Sequence, residues 1–216
     1  MHKRIIVTGH YGSGKTEFSL NLAYKLKAAG NNVAIVDLDI VNPYFRTADD
    51  ITTLENAGIR VIVSPYANTN VDIPALTAEI YSSFEFDGYV IFDVGGNDDG
   101  AVALGRYNNY FTAAPYDMLG VVNTRRPLTA SAEEIACGLR DIENASRLKF
   151  TGIVNNTNLS VETTAETVLN SIDTVKAAAG NMRLDIAYVC APENIAPQLT
   201  DVGAPVFPMQ IRLKKW

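Results

Sequence analysis

Several features that would assign this chain of 216 residues to a specialised class are missing. It has only two cysteines, Cys137 and Cys190, far apart and without C-x-x-C spacing, which indicates a cytoplasmic protein with reduced thiols and with both side chains in the core. No apolar run approaches the roughly 18 residues of a membrane-spanning helix, and no signal peptide is expected. The formal net charge of −6 argues against a nucleic-acid-binding surface spread over the protein.

Linkers, internal repeats and low-complexity segments are missing as well, so we expect a single domain over residues 1–216. Short apolar runs alternate with segments of helical pattern. The runs predict strands at Arg4–Thr8, Val33–Leu38, Ile59–Ser64, Tyr89–Val94, Met118–Asn123, Phe150–Asn155 and Ile186–Cys190, and a final extended piece at Pro205–Pro208. Helices are predicted at 17–29, 47–57, 74–84, 98–114, 129–145 (with a capping box of Ser131 and Glu134) and 161–179. Because most runs are continuously apolar, we expect a parallel sheet covered on both faces, an α/β three-layer sandwich.

The sequence G-H-Y-G-S-G-K-T, from Gly9 to Thr16, matches the phosphate-binding pattern G-x-x-x-x-G-K-[ST] at every fixed position. It lies between the first predicted strand and the first predicted helix, as the pattern requires. Such a loop (the P-loop) turns its backbone N–H groups toward a phosphate, and the helix N-terminus adds its positive dipole end. Lys15 is expected to reach the β- and γ-phosphates, and the Thr16 hydroxyl to ligate Mg²⁺. The expected nucleotide contacts of this segment are Gly12, Ser13, Gly14, Lys15, Thr16 and Glu17.

Acidic residues follow two predicted strands at the carboxyl edge of the sheet, where ligands bind in this architecture. Asp37 and Asp39 end the second strand, where carboxylates hold Mg²⁺ or orient the attacking water. Asp93 follows four apolar or aromatic residues, which is the Walker B pattern of a Mg²⁺-supporting carboxylate. The glycine pair ending at Gly96 allows the backbone to approach the γ-phosphate and to move on hydrolysis. The alternatives are a solvated strand end and a plain glycine turn.

Polar residues follow the fifth and sixth predicted strands. Asn155 stands where GTPases carry their base-reading N-K-x-D sequence, and we expect it to pair with a purine edge. The position of the guanine-binding Asp holds Asn158, which favours ATP over GTP. Arg125 and Arg126 either neutralise phosphate charge or belong to a solvated loop.

The combination of P-loop, D-x-D, Walker B and the later Asn resembles the MinD/ParA/Mrp branch of P-loop NTPases, with the related CobQ/CobB and dethiobiotin synthetase ligases, over nearly the whole chain. The resemblance implies a mostly parallel sheet of seven or eight strands with helices on both faces. It also implies that Lys15 contacts phosphate, that Asp39 positions the attacking water and that Asn155 reads the base. The Mg²⁺-binding residues that it implies are Thr16, Asp37 and Asp93.

One position departs from that family. Many MinD/ParA members carry K-G-G-x-G-K-T, whose first Lys crosses a dimer interface to the partner's nucleotide. Here His10 stands in that place and is followed by Tyr11. The sequence therefore leaves open whether a homodimer forms around two nucleotides.

A Mg²⁺-dependent ATPase acting as a switch is the function that these features favour. ATP would order the loops at Asn42–Thr47 and after Asp93, and an unidentified partner protein would bind the N-P-Y-F-R sequence of the first loop. An ATP-dependent ligase or kinase acting on a small acid or amine is the alternative, with Tyr11, Arg46 and Asn97 as candidates to line its second pocket. A nucleotide-binding module without hydrolysis is the third hypothesis.

Overall fold

A computed structural model describes residues 1–38, 51–63, 78–96 and 98–212. The strands within these ranges are β1 (Arg4–Thr8), β2 (Val33–Asp37), β3 (Arg60–Val63), β4 (Tyr89–Asp93), β5 (Tyr116–Val122), β6 (Gly152–Asn155), β7 (Ile186–Pro192) and β8 (Val206–Met209). They form one sheet in the order β3-β2-β4-β1-β5-β6-β7-β8, and each neighbouring pair is parallel. The predicted parallel α/β sandwich is thus confirmed, and the final extended piece is its eighth strand.

Helices connect the strands. Those within the described residues are α1 (Lys15–Ala28), α2 (Ile51–Asn56), α3 (Ala78–Ser83), α4 (Asp98–Arg106), α5 (Asn108–Thr112), α6 (Ala132–Ser146), α7 (Ala165–Leu169) and α8 (Ile172–Met182), with 3₁₀ turns at Ser160–Glu162 and Ala196–Gln198. The predicted starts of the helices at 47–57 and 74–84 lie outside these residues. Among the described helices, none has the length and apolar character needed to cross a membrane.

The central strand β1 lies between two apolar layers, because successive side chains of a strand point to opposite faces. Ile6 packs into the layer that contains Leu139 of α6 and Val175 of α8. Ile5 packs into the opposite layer, with Phe18 of α1. At about 1.5–3 kcal/mol for each large apolar side chain removed from water, these layers hold β1 firmly in place. The P-loop therefore starts from a rigid support.

The order of the sheet reverses at β1, whose two neighbours are β4 and β5. The chain builds β2, β3 and β4 on one side and β5 to β8 on the other. Such a reversal leaves a crevice outside the carboxyl ends of the strands. The P-loop follows β1 directly and so lies at this crevice, which we call the ligand edge.

Two predicted helices are broken. The predicted helix 98–114 is interrupted at Tyr107, and Asn108 then donates from its Nδ2 to the carbonyl groups of Ser146 and Arg147 at the end of α6, at 3.3 and 2.9 Å. The predicted helix 161–179 consists of a 3₁₀ turn, α7 and α8. Thr164 starts α7 with a capping box of its own, so the polar residues read as helix interior are in fact a helix start.

Three further predictions concern the start of α6, the end of α8 and the burial of the two cysteines. The capping box of Ser131 and Glu134 is present at the start of α6. α8 runs past the predicted helix end at residue 179, continues to Met182 and stops at Arg183 in the left-handed conformation. The prediction for Cys137 was wrong, because this side chain is exposed on α6, whereas Cys190 is buried as expected.

Candidate nucleotide-binding site

The P-loop turns between β1 and α1 with glycines at its tightest points. Gly14, immediately before α1, has φ of 86°, and a Cβ at this position would collide with the Nδ2 of Asn156. Only glycine satisfies both the left-handed backbone and the close approach. The Ser13 N–H donates to the His10 carbonyl at 3.2 Å and closes the turn.

The first two residues of α1 are the Lys and Thr of the motif, and both are buried. Lys15 is 7 % exposed and Thr16 is 6 % exposed. The Nζ of Lys15 donates to the His10 carbonyl at 3.5 Å, so the ammonium group folds back over its own loop. An ammonium group beside a helix N-terminus concentrates positive charge where an anion would bind.

Two buried carboxylates lie next to each other at the ligand edge. Asp37 and Asp93 are register partners at the ends of β2 and β4, and they are 4 % and 1 % exposed. The Oγ of Ser19 in α1 donates to Oδ1 of Asp93 at 3.1 Å, which links this carboxylate to the helix of the P-loop. Neighbouring carboxylates repel each other, and a cation relieves that repulsion. Because carboxylate and hydroxyl oxygens are ligands that Mg²⁺ prefers, the donor set with Thr16 fits this metal.

Gly96 lies directly against the P-loop. A Cβ at this position would collide with the carbonyl oxygen of Gly9 and would lie 2.8 Å from the Nζ of Lys15. The chain stays beside β1 after β4 ends, because the Val94 N–H donates to the Val7 carbonyl at 3.0 Å. The loop after Asp93 therefore contacts the lysine of the P-loop.

The side chain of Asn155 is bonded within the protein at both of its polar atoms. It is fully buried, its Nδ2 donates to the Oγ of Ser171 at 2.8 Å, and its Oδ1 accepts from the Thr157 N–H at 3.1 Å. Its predicted contact with a base stays a prediction. The next residue, Asn156, points to the other side and donates from its Nδ2 to the Ser13 carbonyl at 2.8 Å. The sequence analysis did not single out Asn156, and its contact with the P-loop becomes visible only in the structure.

A network of neutral side chains joins the loops after β5 and β6. Asn123 is fully buried, its Oδ1 accepts from the Arg125 N–H at 2.9 Å, and its Nδ2 donates to the Asn158 carbonyl at 3.2 Å. The Oγ1 of the fully buried Thr157 accepts from the Thr124 N–H at 3.1 Å. The two loops therefore form one hydrogen-bonded unit. The side chain of Asn158 belongs to the same unit, since its Nδ2 donates to the Asn156 carbonyl at 2.7 Å.

The two arginines after β5 differ in their contacts. Both are exposed. The Nε of Arg126 donates to the Gly12 carbonyl at 3.2 Å, so this residue touches the P-loop. The side chain of Arg125 makes no hydrogen bond or ion pair with the part of the chain that the structure describes. Only Arg126 is brought to the loop.

Glu17 is directed toward the C-terminal part of the chain. Its Oε1 accepts from the Arg212 N–H at 2.5 Å. One turn later, the side-chain amide of Asn21 pairs with both backbone groups of Gln210, each at 2.9 Å. The geometry gives Glu17 a role in holding residues 210–212 against α1. The predicted nucleotide contact of Glu17 stays a prediction.

The remaining candidates are divided between described and undescribed residues. Tyr11 is 58 % exposed at the P-loop, and the Nδ1 of His10 lies 3.1 Å from the Tyr11 carbonyl oxygen. Asp39, the segment Asn42–Thr47 with Arg46, and Asn97 lie outside the described residues. Their predicted roles stay predictions.

A family model described as the CobQ/CobB/MinD/ParA nucleotide-binding domain matches residues 5–189. Among curated proteins, none matches this chain. Solved structures of similar fold include cell division protein FtsY from Thermotoga maritima, with 19 % identity, a TM-score of 0.56, and coverage of 89 % of this chain and 63 % of that one.

FtsY from Mycoplasma mycoides is also similar, with 17 % identity, a TM-score of 0.58 and coverage of 86 % and 60 % of the two chains. The signal recognition particle receptor FtsY from Elizabethkingia anophelis, in complex with GDP, has 17 % identity, a TM-score of 0.53 and coverage of 88 % and 57 %. The chain spans about three fifths of the length of these structures, and at this identity the likeness concerns the fold alone. With the family model matching residues 5–189, the chain belongs to the CobQ/CobB/MinD/ParA nucleotide-binding domain family and is a nucleotide-binding P-loop NTPase.

Proposed function

We propose that this protein is a Mg²⁺-dependent ATPase of the cytoplasm, and that it uses ATP binding and hydrolysis as a switch acting on a partner protein. The observation that carries the proposal is the contact of Gly96 with the P-loop, at the Gly9 carbonyl and the Nζ of Lys15. A loop this close to the P-loop lysine meets the terminal phosphate of a bound nucleotide. Loss of that phosphate then changes the surroundings of the loop, which is what a switch requires.

In this proposal some residues of the site neutralise phosphate charge, and others orient the reacting groups. Lys15 and the backbone N–H groups of the P-loop bind the phosphates. Thr16, Asp37 and Asp93 would hold Mg²⁺, which supplies positive charge to the phosphate oxygens when it is bound. Asp39 orients the attacking water, a role that rests on its place in the sequence, two residues after Asp37.

The base is adenine in this proposal, and Asn156 is the residue that binds it. Its Nδ2 is already bonded to the Ser13 carbonyl, which leaves Oδ1 as an acceptor beside the P-loop. The exocyclic amine of adenine donates to such an oxygen, whereas guanine carries a carbonyl oxygen there and would repel it. The position of the carboxylate that binds guanine in GTPases holds Asn158, in agreement with this choice.

The partner protein binds at the segment Asn42–Thr47 in this proposal, because that segment directly follows Asp39 and carries aromatic and Arg side chains. Replacing Tyr44 and Phe45 with Ala is expected to abolish capture of the partner and to leave ATP affinity unchanged. Calorimetry with ATP and a pull-down with the wild-type protein as reference measure the two effects. Loss of folding, detected by circular dichroism, would contradict this assignment.

The central experiment compares the wild-type protein with Lys15→Ala by calorimetry with Mg-ATP and by phosphate release. Removing the P-loop ammonium group is expected to weaken ATP binding at least about thirtyfold, because it leaves buried phosphate charge without its partner. Lys176→Ala, an exposed change on α8, is the matched control and is expected to behave as the wild type. Unchanged ATP affinity in Lys15→Ala would contradict the proposal.

The same assays separate the ATPase from the two other hypotheses. Phosphate release by the protein alone, lost in Asp39→Ala with ATP binding retained, is the expected result. Turnover that begins only when a small acid or amine is added, with one ADP per product, would identify a ligase or kinase. Binding without turnover in both proteins would identify a module that does not hydrolyse ATP.

A further inference from the structure

The side chain of Arg126 binds a backbone carbonyl group of the P-loop. Its Nε donates to the Gly12 carbonyl at 3.2 Å and lies 3.4 Å from the point that a Cβ of this glycine would occupy. Asn156 binds the next carbonyl along the chain, that of Ser13, at 2.8 Å. Two side chains from two different loops therefore hold two consecutive carbonyl groups of the P-loop.

Holding these carbonyl groups also orients the N–H groups behind them. In a trans peptide the C=O and the N–H point in opposite directions. The Gly12 carbonyl shares its peptide plane with the Ser13 N–H, which donates to the His10 carbonyl and closes the turn. The Ser13 carbonyl shares its plane with the Gly14 N–H. N–H groups of this part of a P-loop are the ones that bind phosphate. Arg126 thus holds the peptide that closes the turn, and Asn156 sets the direction of the Gly14 N–H.

The backbone that carries Arg126 is itself well held. The Arg126 N–H donates to the Asn123 carbonyl at 3.1 Å, and the Oγ1 of Thr129 donates to the same carbonyl at 2.7 Å. Asn123 is fully buried and bonded to the loop after β6. The backbone of Arg126 is therefore held in place while its guanidinium group contacts Gly12, although the side chain itself is exposed.

We propose that Arg126 is a positioning residue, which together with Asn156 holds the P-loop in its anion-binding conformation before a nucleotide arrives. The inference rests on the proposed binding of ATP and adds a device that prepares the loop for it. A loop held in its bound conformation loses less conformational entropy on binding, which raises affinity without any direct contact to the ligand. ATP and ADP both place phosphates in this loop, so both gain equally.

The test uses Arg126→Met, which keeps the length of the side chain and removes every donor, and Arg126→Lys, which keeps a donor. Arg125→Met is the matched control one residue away. The dissociation constants of Mg-ATP and Mg-ADP are expected to rise together by about tenfold in Arg126→Met, the scale of one hydrogen bond to a charged group. Arg126→Lys is expected to recover most of this loss, and Arg125→Met to stay within about twofold of the wild type, the scale of a surface change. The unfolding temperature of the ligand-free protein is expected to fall by no more than about 4 °C in Arg126→Met, because the bond to Gly12 also stabilises the free protein, and to stay the same in Arg125→Met.

Several results would overturn the inference. Unchanged affinities in Arg126→Met would do so, and a loss confined to ATP would show direct contact with the γ-phosphate instead. An equal loss in Arg126→Lys, or a much larger fall in the unfolding temperature of ligand-free Arg126→Met, would also contradict a positioning role through the Gly12 carbonyl. If the wild-type protein binds neither nucleotide, the proposed function fails and this inference fails with it, which distinguishes that case from failure of the inference alone.

Discussion

The two sides of the site bury different kinds of polar group. On the β2–β4 side these are the carboxylates of Asp37 and Asp93, side by side in register. On the β5–β6 side they are the neutral side chains of Asn123, Asn155 and Thr157, each fully buried and hydrogen-bonded to a neighbouring loop. The charged side suits a cation and the chemistry of phosphate, whereas the neutral side fixes the shape of the loops around it. Substitutions on the two sides should therefore change different measured quantities.

The largest effect is expected on the charged side. Asp93→Asn keeps the shape of the side chain and removes its charge, so the ATPase rate constant is expected to fall by about two to three orders of magnitude, as when a preorganised electrostatic group is lost. Phosphate release at increasing Mg²⁺ concentration measures the change. Asp87→Asn is the control, because Asp87 is exposed and pairs only with the exposed Lys3 among the described residues. Equal activity of the Asp93 and Asp87 variants would break the comparison.

A methyl group at Gly96 tests whether the loop after Asp93 must approach the P-loop. Gly96→Ala would place a Cβ against the Gly9 carbonyl and the Nζ of Lys15. We expect kcat/KM for ATP to fall by about tenfold to a hundredfold, because catalytic groups displaced by about 1 Å lose that much. Gly138→Ala on α6, where no atom lies within 4 Å, is the matched glycine control and should stabilise the protein by up to about 1 kcal/mol. Wild-type activity of Gly96→Ala would contradict the close approach.

Within the β5–β6 side, the neighbouring residues Asn155 and Asn156 are expected to affect stability and ATP affinity differently. Asn155→Ala leaves buried hydrogen-bonding groups of Ser171 and Thr157 without their partner, so the free energy of unfolding should fall by about 1–3 kcal/mol. Its ATP affinity should change little. Asn156→Ala should show the opposite pattern, with ATP binding weakened by about tenfold, the scale of one hydrogen bond, and a smaller loss of stability. Urea unfolding and calorimetry on both variants measure the four values, and a reversed pattern would return the base contact to Asn155.

The smallest expected effect is a difference in reactivity between the two cysteine thiols. It shows whether reagents from solvent reach the buried residues of the β5–β6 side. Cys190 lies in β7, next to β6, and burial raises the pKa of its thiol. A thiol of raised pKa stays protonated at pH 8. Cys190 should therefore be unreactive, because it is both protonated and buried. Exposed Cys137 should react at once with a thiol reagent, and the second equivalent should appear only in denaturant. Rapid reaction of both thiols in the native protein would mean that this side opens.

Local patterns predicted the parts of the site that are contiguous in sequence. The P-loop is a single stretch after a strand, and Asp37 and Asp93 each end a buried apolar run, so sheet topology alone brings them together. The contact of Arg126 with Gly12 joins residues 114 positions apart and was not predictable from either segment. The break at Tyr107 depends in the same way on the end of α6, which attracts the side chain of Asn108.

The wrong prediction for Cys137 could have been avoided from the sequence. Along α6 the buried stripe is formed by Ile135, Leu139 and Ile142, and Cys137 falls off this helical period. The apolar neighbours of Cys137 suggested burial, but periodicity decides which side of a helix is covered. Asn155 and Asn156 show the corresponding effect at the end of a strand, where adjacent side chains face opposite sides and, of the two, Asn156 contacts the P-loop.

The pairing of α1 with residues 210–212 has a consequence for synthesis of the chain. Asn21 and Gln210 are separated by 189 positions, and Glu17 and Arg212 by 195. The helix that follows the P-loop therefore gains these contacts only after β8 has left the ribosome, although the helix itself is made first. Contacts of such long sequence separation form late, because the chain between them must first be ordered. A growing polypeptide would thus display its phosphate loop long before the helix behind that loop has its full set of neighbours.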